Sequence, residues 1–148
     1  MSAPGGFDMR MMNRSMVTRL LEDEPQPLQD DGFATRVLET VGRRSGQLRR
    51  TPIAVVRSVG LSYLVSPDLS RDWVRNLAVQ PRCTVLSRDV SFTARAEPAE
   101  HGESIRVVRT YLRSMTVPWA LKAFPVGPDA DDIEISANLI TIAVLRLD

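Results

Sequence analysis

Between residues 41 and 52 the chain reads VGRRSGQLRRTP, with four arginines, two glycines and a serine in a dozen positions and no acid among them. Residues of these types, this close together, suit the binding of a phosphate or a carboxylate. Arg43, Arg44, Arg49 and Arg50 supply planar charged donors and Ser45 a hydroxyl. Gly42 and Gly46 allow positive-φ backbone, in which successive N–H groups converge on an anion. The stretch is not a P-loop, because the Gly-Lys-Ser/Thr ending and the following helix are missing. Nor is it a dinucleotide fingerprint, which also needs a helix after its glycines. On composition alone two readings stand: an anion cradle, or an exposed turn that its arginines keep solvated.

Other chemistries find little to build on. Cys83 is the one cysteine, so no internal disulfide or cysteine-rich metal site exists, and its apolar setting in RCTVL suits a buried, inert thiol. His101 is the one histidine, in the polar stretch EHGES, and a histidine-centred triad has no second member to work with. DADDIE, residues 129–134, lacks the spaced ligands, central glycine and distal glutamate of a calcium loop and reads as solvated surface. No metal site is expected. The formal net charge is +1, from 19 basic and 18 acidic residues, which argues against a broad nucleic-acid footprint and makes any anion site local. Among the cations only Lys122 is a lysine; this fits a codon bias, and it also suits bidentate anion contacts.

The elements that must position the cationic stretch can be read outward from it. At 148 residues with 43% hydrophobic content, a single globular domain with a proper core is expected. Residues 1–32 read as peripheral, with an amphipathic helix and an acidic, proline-containing linker, EDEPQPLQDDG. Met9, Met12, Met16 and Leu20 share one helical face, with arginines interspersed. That face suits packing on the domain or a weak membrane-surface contact. No apolar run is long enough to span a membrane, and the N-terminus lacks the apolar middle of a signal peptide, so a cytoplasmic location is expected.

Residues 33–148 read as the main domain. Five short β-branched runs, TRVLETV, TPIAVVRS, LSYLVS, RCTVLS and VSFTARA, crowd into residues 34–96 and are separated by turn residues. Connections this short make neighbours antiparallel, which predicts a barrel or sandwich. The cationic stretch is then the tip of the first hairpin. A short helix is expected over 70–79, with Ser70 as N-cap, Asp72 complementing the dipole and Pro81 just beyond its end. Its Trp73, Asn76 and Leu77 share a face. A longer helix is expected over 99–116, with Ile105, Val108, Leu112 and Met115 inward and Pro118 as its stop, followed by a final central strand in LITIAVLRL.

Two segments carry a more specific signal together. LETVGRRSGQLRRTPI resembles the TxGRxSGxxRxxP stretch of the deazaflavin-dependent nitroreductase family, and WVRNLAVQPRCTV resembles the Trp-x-x-Asn-Leu-x-x-x-Pro segment that follows it there. The similarity is good over about residues 35–96 and extends to the remainder only in layout. It implies an α+β, mainly β fold: a six-stranded antiparallel split β-barrel with flanking helices. It also implies coenzyme F420, a deazaflavin carrying a phosphate and an oligoglutamate tail, with FMN as the alternative cofactor. By position in the motif, Gly42, Arg43, Arg44, Ser45, Gly46 and Arg49 would meet the anionic end, with Arg50 an addition of this chain. Pro52 and Ile53 would lie beside the ring, and the Trp73–Asn76 face near it. Ser66 matches a serine that could hydrogen-bond substrate or cofactor. The chain departs from the pattern at Pro67, where the family has lysine, at Asp68 and Leu69, where it has two glycines, and at Ala54, where some members have a tyrosine near the substrate.

The activity so implied is hydride transfer from the reduced deazaflavin to a nitro compound, quinone or activated alkene. The alternative is a non-catalytic carrier of a flavin, deazaflavin or haem on the same fold. The segment VPWALKAFPVG is expected to close over the substrate, with Trp119 and Phe124 as apolar walls or, on the competing reading, as core; Tyr111 is a candidate proton donor, again with a core role competing. A monomer and a homodimer are both compatible with the sequence.

Overall fold

The computed structural model describes residues 9–148; residues 1–8 and the Met9 side chain lie outside the described part. In chain order the elements are α1 (Met9–Glu22), β1 (Gly32–Val41), β2 (Leu48–Ser58), β3 (Leu61–Ser66), α2 (Asp72–Val79), β4 (Arg82–Leu86), β5 (Ser91–Pro98), α3 (His101–Ser114), α4 (Pro118–Lys122), α5 (Asp132–Asn138) and β6 (Ala143–Leu147). The strands form a closed antiparallel barrel in the order β1-β2-β3-β6-β5-β4. β6 inserts between β3 and β5, pairing Leu64 with Leu145 on one side and Ala96 with Leu147 on the other. Its apolar sequence suits that central place, because both of its edges are matched and its side chains meet apolar partners.

Strand periodicity divides the apolar residues between two cores. Ile53, Val55, Leu64, Val85 and Ala96 belong to the barrel interior, which Trp73 and Leu77 of α2 complete at one mouth. Val56, Tyr63, Val65 and Val144 belong to an outer layer beneath α3, where they meet Val107, Val108, Tyr111 and Leu112. Tyr111 also lies 4.8 Å from Phe124 between ring centroids. Both rings are buried. Phe124 is therefore core rather than a substrate wall, and Tyr111 takes its competing core role; desolvation raises its pKa. Trp119, by contrast, is 71% exposed.

Two helix boundaries differ from expectation. Arg71, not Ser70, stands at the N-cap of α2, and it makes no side-chain cap bond. Ser70 instead donates its hydroxyl to Asp68 Oδ1 at 2.5 Å, closing the preceding turn. α3 ends at Ser114, while Pro118 opens α4 as its first residue. Proline serves there because the first turn of a helix needs no N–H from it. α1 packs against β2 and β1 with Met12, Met16 and Leu20 half-buried, so the apolar face expected from the sequence is turned onto the domain. Among the described residues, no helix is long and apolar enough to cross a membrane.

A polar chain fastens α3 to the sheet. Arg106 donates to Ser58 Oγ at 2.9 Å and to the Tyr63 hydroxyl at 3.2 Å. Tyr63 donates to Glu103 Oε2 at 2.6 Å, and Arg146 of β6 donates to Glu103 Oε1 at 3.0 Å. Glu103 also completes a capping box with Glu100 at the start of the helix. The Tyr63 bond, the Glu100 backbone bond and Arg146 hold the Glu103 carboxyl below its ordinary pKa of 4.5. A depressed folded value contributes stability that is complete above the unfolded pKa and drains away as pH falls toward the folded one. Glu103→Gln is therefore expected to flatten the acid limb of a Tm-against-pH curve below about pH 4.5, the ordinary glutamate range. An acid limb as steep as that of the unmodified chain would show that other carboxylates carry the effect.

Candidate functional site

The cationic stretch closes the β1–β2 hairpin, with Val41 opposite Leu48. Its turn is built from its own backbone. Gly46 N–H donates to Gly42 O at 2.8 Å, one helical turn closed on itself, and Gly42 N–H donates to Gln47 O at 2.7 Å. Gln47 N–H reaches Ser45 Oγ at 3.1 Å, and Arg43 N–H reaches Asn76 Oδ1 at 3.2 Å. The N–H groups of residues 42, 43, 46 and 47 are thus engaged within the protein. Those four are closed to an anion, which leaves the N–H groups of Arg44 and Ser45, beside the side chains, as the open donors of the turn.

The two glycines serve different ends. Gly46 has φ of 71°, where a side chain is strained. Gly42 lies outside the left-handed region; its constraint is space, because a Cβ would sit 2.8 Å from Ser45 Oγ and 3.1 Å from Gln47 O. The Arg49 side-chain stem lies against the same position, 3.5 Å from where that Cβ would be. That last distance is ordinary contact, so the need for glycine comes from Ser45 and Gln47 within the turn.

The four arginines separate into two pairs. Arg43 turns inward: its Nη1 donates to Asn76 Oδ1 at 2.9 Å and its Nη2 meets Asp72 Oδ1 at 3.2 Å. Its side chain is 16% exposed, against 86% for that of Asp72. Arg50 pairs with Glu39, directly across the hairpin, at 2.8 Å. Arg44 and Arg49 are exposed and, among the described residues, make no hydrogen bond or ion pair. They are the two guanidinium groups at this tip with all their donors open.

Asn76 organises the turn from α2. Its amide nitrogen donates to Thr40 Oγ1 at 3.2 Å, while its oxygen accepts both bonds from Arg43. Thr40 and Asn76 are both buried. Trp73 and Leu77, flanking Asn76 on the same helical face, anchor α2 in the barrel mouth. Thr40, Asp72 and Glu39 are the residues sequence reasoning missed. Asp72 stands one helical turn before Asn76, a spacing that could have marked both as partners of one cation.

Beside the tip, β2 has an unmatched edge. It pairs with β1 along its length but with β3 only from Val55 to Ser58. Leu48 to Ala54 therefore have no partner on the β3 side, and Pro52, which lacks an N–H, falls within this segment. Pro52 is half-buried and Ile53 is buried in the barrel core. Ser66, at the end of β3, is fully buried and donates to Asp68 O at 2.6 Å, so its hydroxyl is held in the β3–α2 turn. The sequence-selected residues thus fall into an outward group, Arg44, Ser45, Gly46 and Arg49, and an inward frame of Gly42, Arg43, Ile53, Ser66, Trp73 and Asn76. A cleft of about 620 Å³ on another side of α2, lined by Val74, Ala78, Pro98, His101 and Ala143, contains none of them. Cys83 lies in the barrel core, and burial pushes its thiol pKa up to about 11, so it is no nucleophile at neutral pH.

The family model described as F420H(2)-dependent quinone reductase matches residues 11–124, a span that contains the hairpin, the unmatched β2 edge and α2. The chain belongs to that family. Membership carries the F420-dependent reductase class, in agreement with the resemblance of the two motifs. No curated protein matches the chain. Among solved structures, a conserved hypothetical protein of Mycobacterium tuberculosis superposes with a TM-score of 0.53 at 18% identity, covering 91% of this chain and 78% of that one. A heme-binding protein of Mycobacterium smegmatis gives 0.52 at 18% identity over 76% of this chain, which spans 45% of that longer one. An F420-H2 dependent reductase gives 0.49 at 21% identity, covering 81% and 98%. At these identities the first two likenesses establish the fold alone.

Replacing Asn76 by alanine removes one side chain and leaves a buried threonine hydroxyl and the Arg43 N–H without their partner. The expected cost is about 1–3 kcal/mol for such buried orphans. Chemical denaturation measures it, and a loss well below that range would mean that water replaces the amide freely.

Proposed function

We propose that the chain is an F420H2-dependent oxidoreductase that passes a hydride to a small electrophile, a nitro compound, a quinone or an activated alkene. The observation that carries the reading is the pair of unengaged guanidinium groups, Arg44 and Arg49, set beside the unmatched edge of β2 in a member of this family. The chemistry of that donor set fits the cofactor: two open cations suit its phosphate and tail carboxylates, and an unpaired strand edge suits the polar rim of its ring. Arg44, Arg49 and Ser45 take the anionic end, while the backbone near Pro52 borders the ring. FMN carries a phosphate too, and is the competing cofactor.

When bound, the reduced deazaflavin supplies the hydride. This chain's residues bind and orient. Arg43 and Asn76 do not grip the anion themselves; they hold the turn so that Arg44 and Arg49 face it. Trp73 and Ile53 keep the barrel side dry. Titratable groups at this end offer little: Cys83 is buried and protonated, Tyr63 and Tyr111 are buried with raised pKa values, His101 lines the separate cleft, and the carboxylates of Asp72 and Glu39 are paired with Arg43 and Arg50. The accompanying proton is drawn from solvent.

The test is a fluorescence titration with F420H2 and with FMN, followed by addition of menadione or a nitroarene. Tight binding with oxidation of the deazaflavin supports the enzyme. Binding without turnover across the panel supports a carrier, and a preference for FMN replaces the cofactor. Arg44→Ala should weaken binding by about 1.5–3 kcal/mol, the loss of one charge-assisted contact. Arg50→Ala, which removes an arginine already paired with Glu39, should change it far less, and equal effects would undo the division of the four arginines.

A further inference from the structure

At the other end of β2, eleven residues and roughly 30 Å from the cationic tip, lies a cavity of about 520 Å³. Ser58 and Val59 of the β2–β3 turn line it, together with Asp30 and Asp31 and one face of α3. That face presents Arg106, Arg109 and Arg113, at helical spacing.

The charges around this cavity are arranged unusually. Arg109 is paired outside it with Asp132. Arg106 is held by the neutral Ser58 and Tyr63 hydroxyls, and Arg113 makes no contact with an acid. In the same lining, Asp30 accepts from Gly60 N–H and Asp31 from the Thr110 hydroxyl of α3, both at 2.9 Å. Among the described residues, neither carboxylate forms an ion pair with either guanidinium, although all four side chains line one space. Local hydrogen bonds anchor both carboxylates and Arg106, Asp31 on α3 itself through Thr110, so acids and guanidinium groups border one space without pairing.

The backbone marks the same place. Two non-glycine residues in the described chain have positive φ, Asp31 at 58° and Val59 at 52°, and both line this cavity. An aspartate tolerates that conformation; a β-branched valine does not. Val59 and Gly60 form the two-residue turn between Ser58 and Leu61, in which asparagine or glycine would sit without strain. The valine side chain is also 69% exposed, so it adds nothing to the core. Core packing therefore gives no reason for valine at this position, and its side chain is open to whatever enters the cavity.

We propose that this cavity binds a small zwitterion of the amino-acid class, its carboxylate on Arg106 and Arg113, its ammonium on Asp30 and Asp31, and its carbon chain on Val59. A single anion would leave the carboxylates unanswered, and a single cation the guanidinium groups. Only a ligand that bears both charges answers both sets.

The test uses the full ¹⁵N-labelled chain, followed through the amides of Asp31, Val59 and Gly60. The probes are ω-amino acids from glycine to 6-aminohexanoate, with butyrate, butylamine and inorganic phosphate as single-charge controls. At least one amino acid should move those amides saturably, and the controls should not. Arg113→Ala should weaken that binding about tenfold, the scale of one charge-assisted bond. Val59→Asn should weaken it while keeping or raising the Tm. Saturation by butyrate or phosphate alone would overturn the zwitterion, and so would no saturation by any amino acid or unchanged binding by Arg113→Ala. The site is independent of the redox reading, so Arg113→Ala should leave F420H2 affinity unaltered. A parallel loss of cofactor affinity would assign the cavity to the cofactor and overturn the proposal.

Discussion

The working end of this molecule depends on one buried amide. Asn76 accepts two bonds from Arg43 and donates one to Thr40, so it joins helix α2, strand β1 and the hairpin tip at a single point. Packing brings it there and the bonds give it meaning. Burying Trp73 removes on the order of 150–250 Å² from water, several kcal/mol at about 25 cal/mol per Å². The hydrogen bonds contribute about 1 kcal/mol each. The apolar face therefore fixes how deep α2 sits, and the amide fixes which turn of the hairpin it meets. An error in either would leave Arg43 N–H and the Thr40 hydroxyl buried without partners, and that penalty makes the arrangement specific.

A second constraint follows from how the barrel closes. β2 is longer than its neighbour β3, and pairing between them begins only at Val55. Beyond that point β3 parts from β2 and pairs only with β6, through Val65 and Ser66, before the turn to α2 held by the Ser66, Asp68 and Ser70 bonds. The first half of β2 is left with β1 on one side. Proline is admissible at residue 52 for this reason, since the missing N–H has no partner to disappoint. The same gap supplies a strand edge at which a planar ligand with a polar rim can complete the ladder. A short unmatched edge flanked by arginines is also a poor template for another chain, so the opening does not invite aggregation.

Much of this was legible from local pattern. The alternation in TPIAVVRS announces β2, and the residues that alternate inward and outward there do enter two different cores. The face of Trp73, Asn76 and Leu77 is buried as its spacing indicated. What the sequence concealed are pairings across long separations. Composition around residue 43 does not distinguish Arg43 from Arg44, although the family motif fixes the first and leaves the second variable; in the structure one is tied to residues 72 and 76 and the other is open. The glycines suggested backbone donors for an anion, but an N–H is available only if the turn itself leaves it so, and this turn uses four. Ser70 misled for a related reason: a serine before a helix can cap it or close the turn ahead of it, and Asp68 decides between the two. Phe124 lay in a loop whose composition resembled a lid, and only the position of Tyr111 shows it to be core.

The division of the arginines also sets the character of the site. Asp72 and Glu39 neutralise Arg43 and Arg50, so the tip carries two effective charges rather than four. Four unpaired guanidinium groups on one turn would repel one another and would attract polyanions without discrimination. Two unpaired groups on a turn with four of its N–H groups spent would, on the proposed reading, recognise geometry as well as charge. Because both are exposed, their attraction for an anion is screened over about 8 Å at physiological ionic strength. On that reading affinity comes from contact distances rather than a long-range field, and the Asn76 amide helps by fixing, through Arg43, the turn that carries both arginines. The acids at the tip therefore do not oppose its function; by removing surplus charge they make the position of the remaining charge decisive.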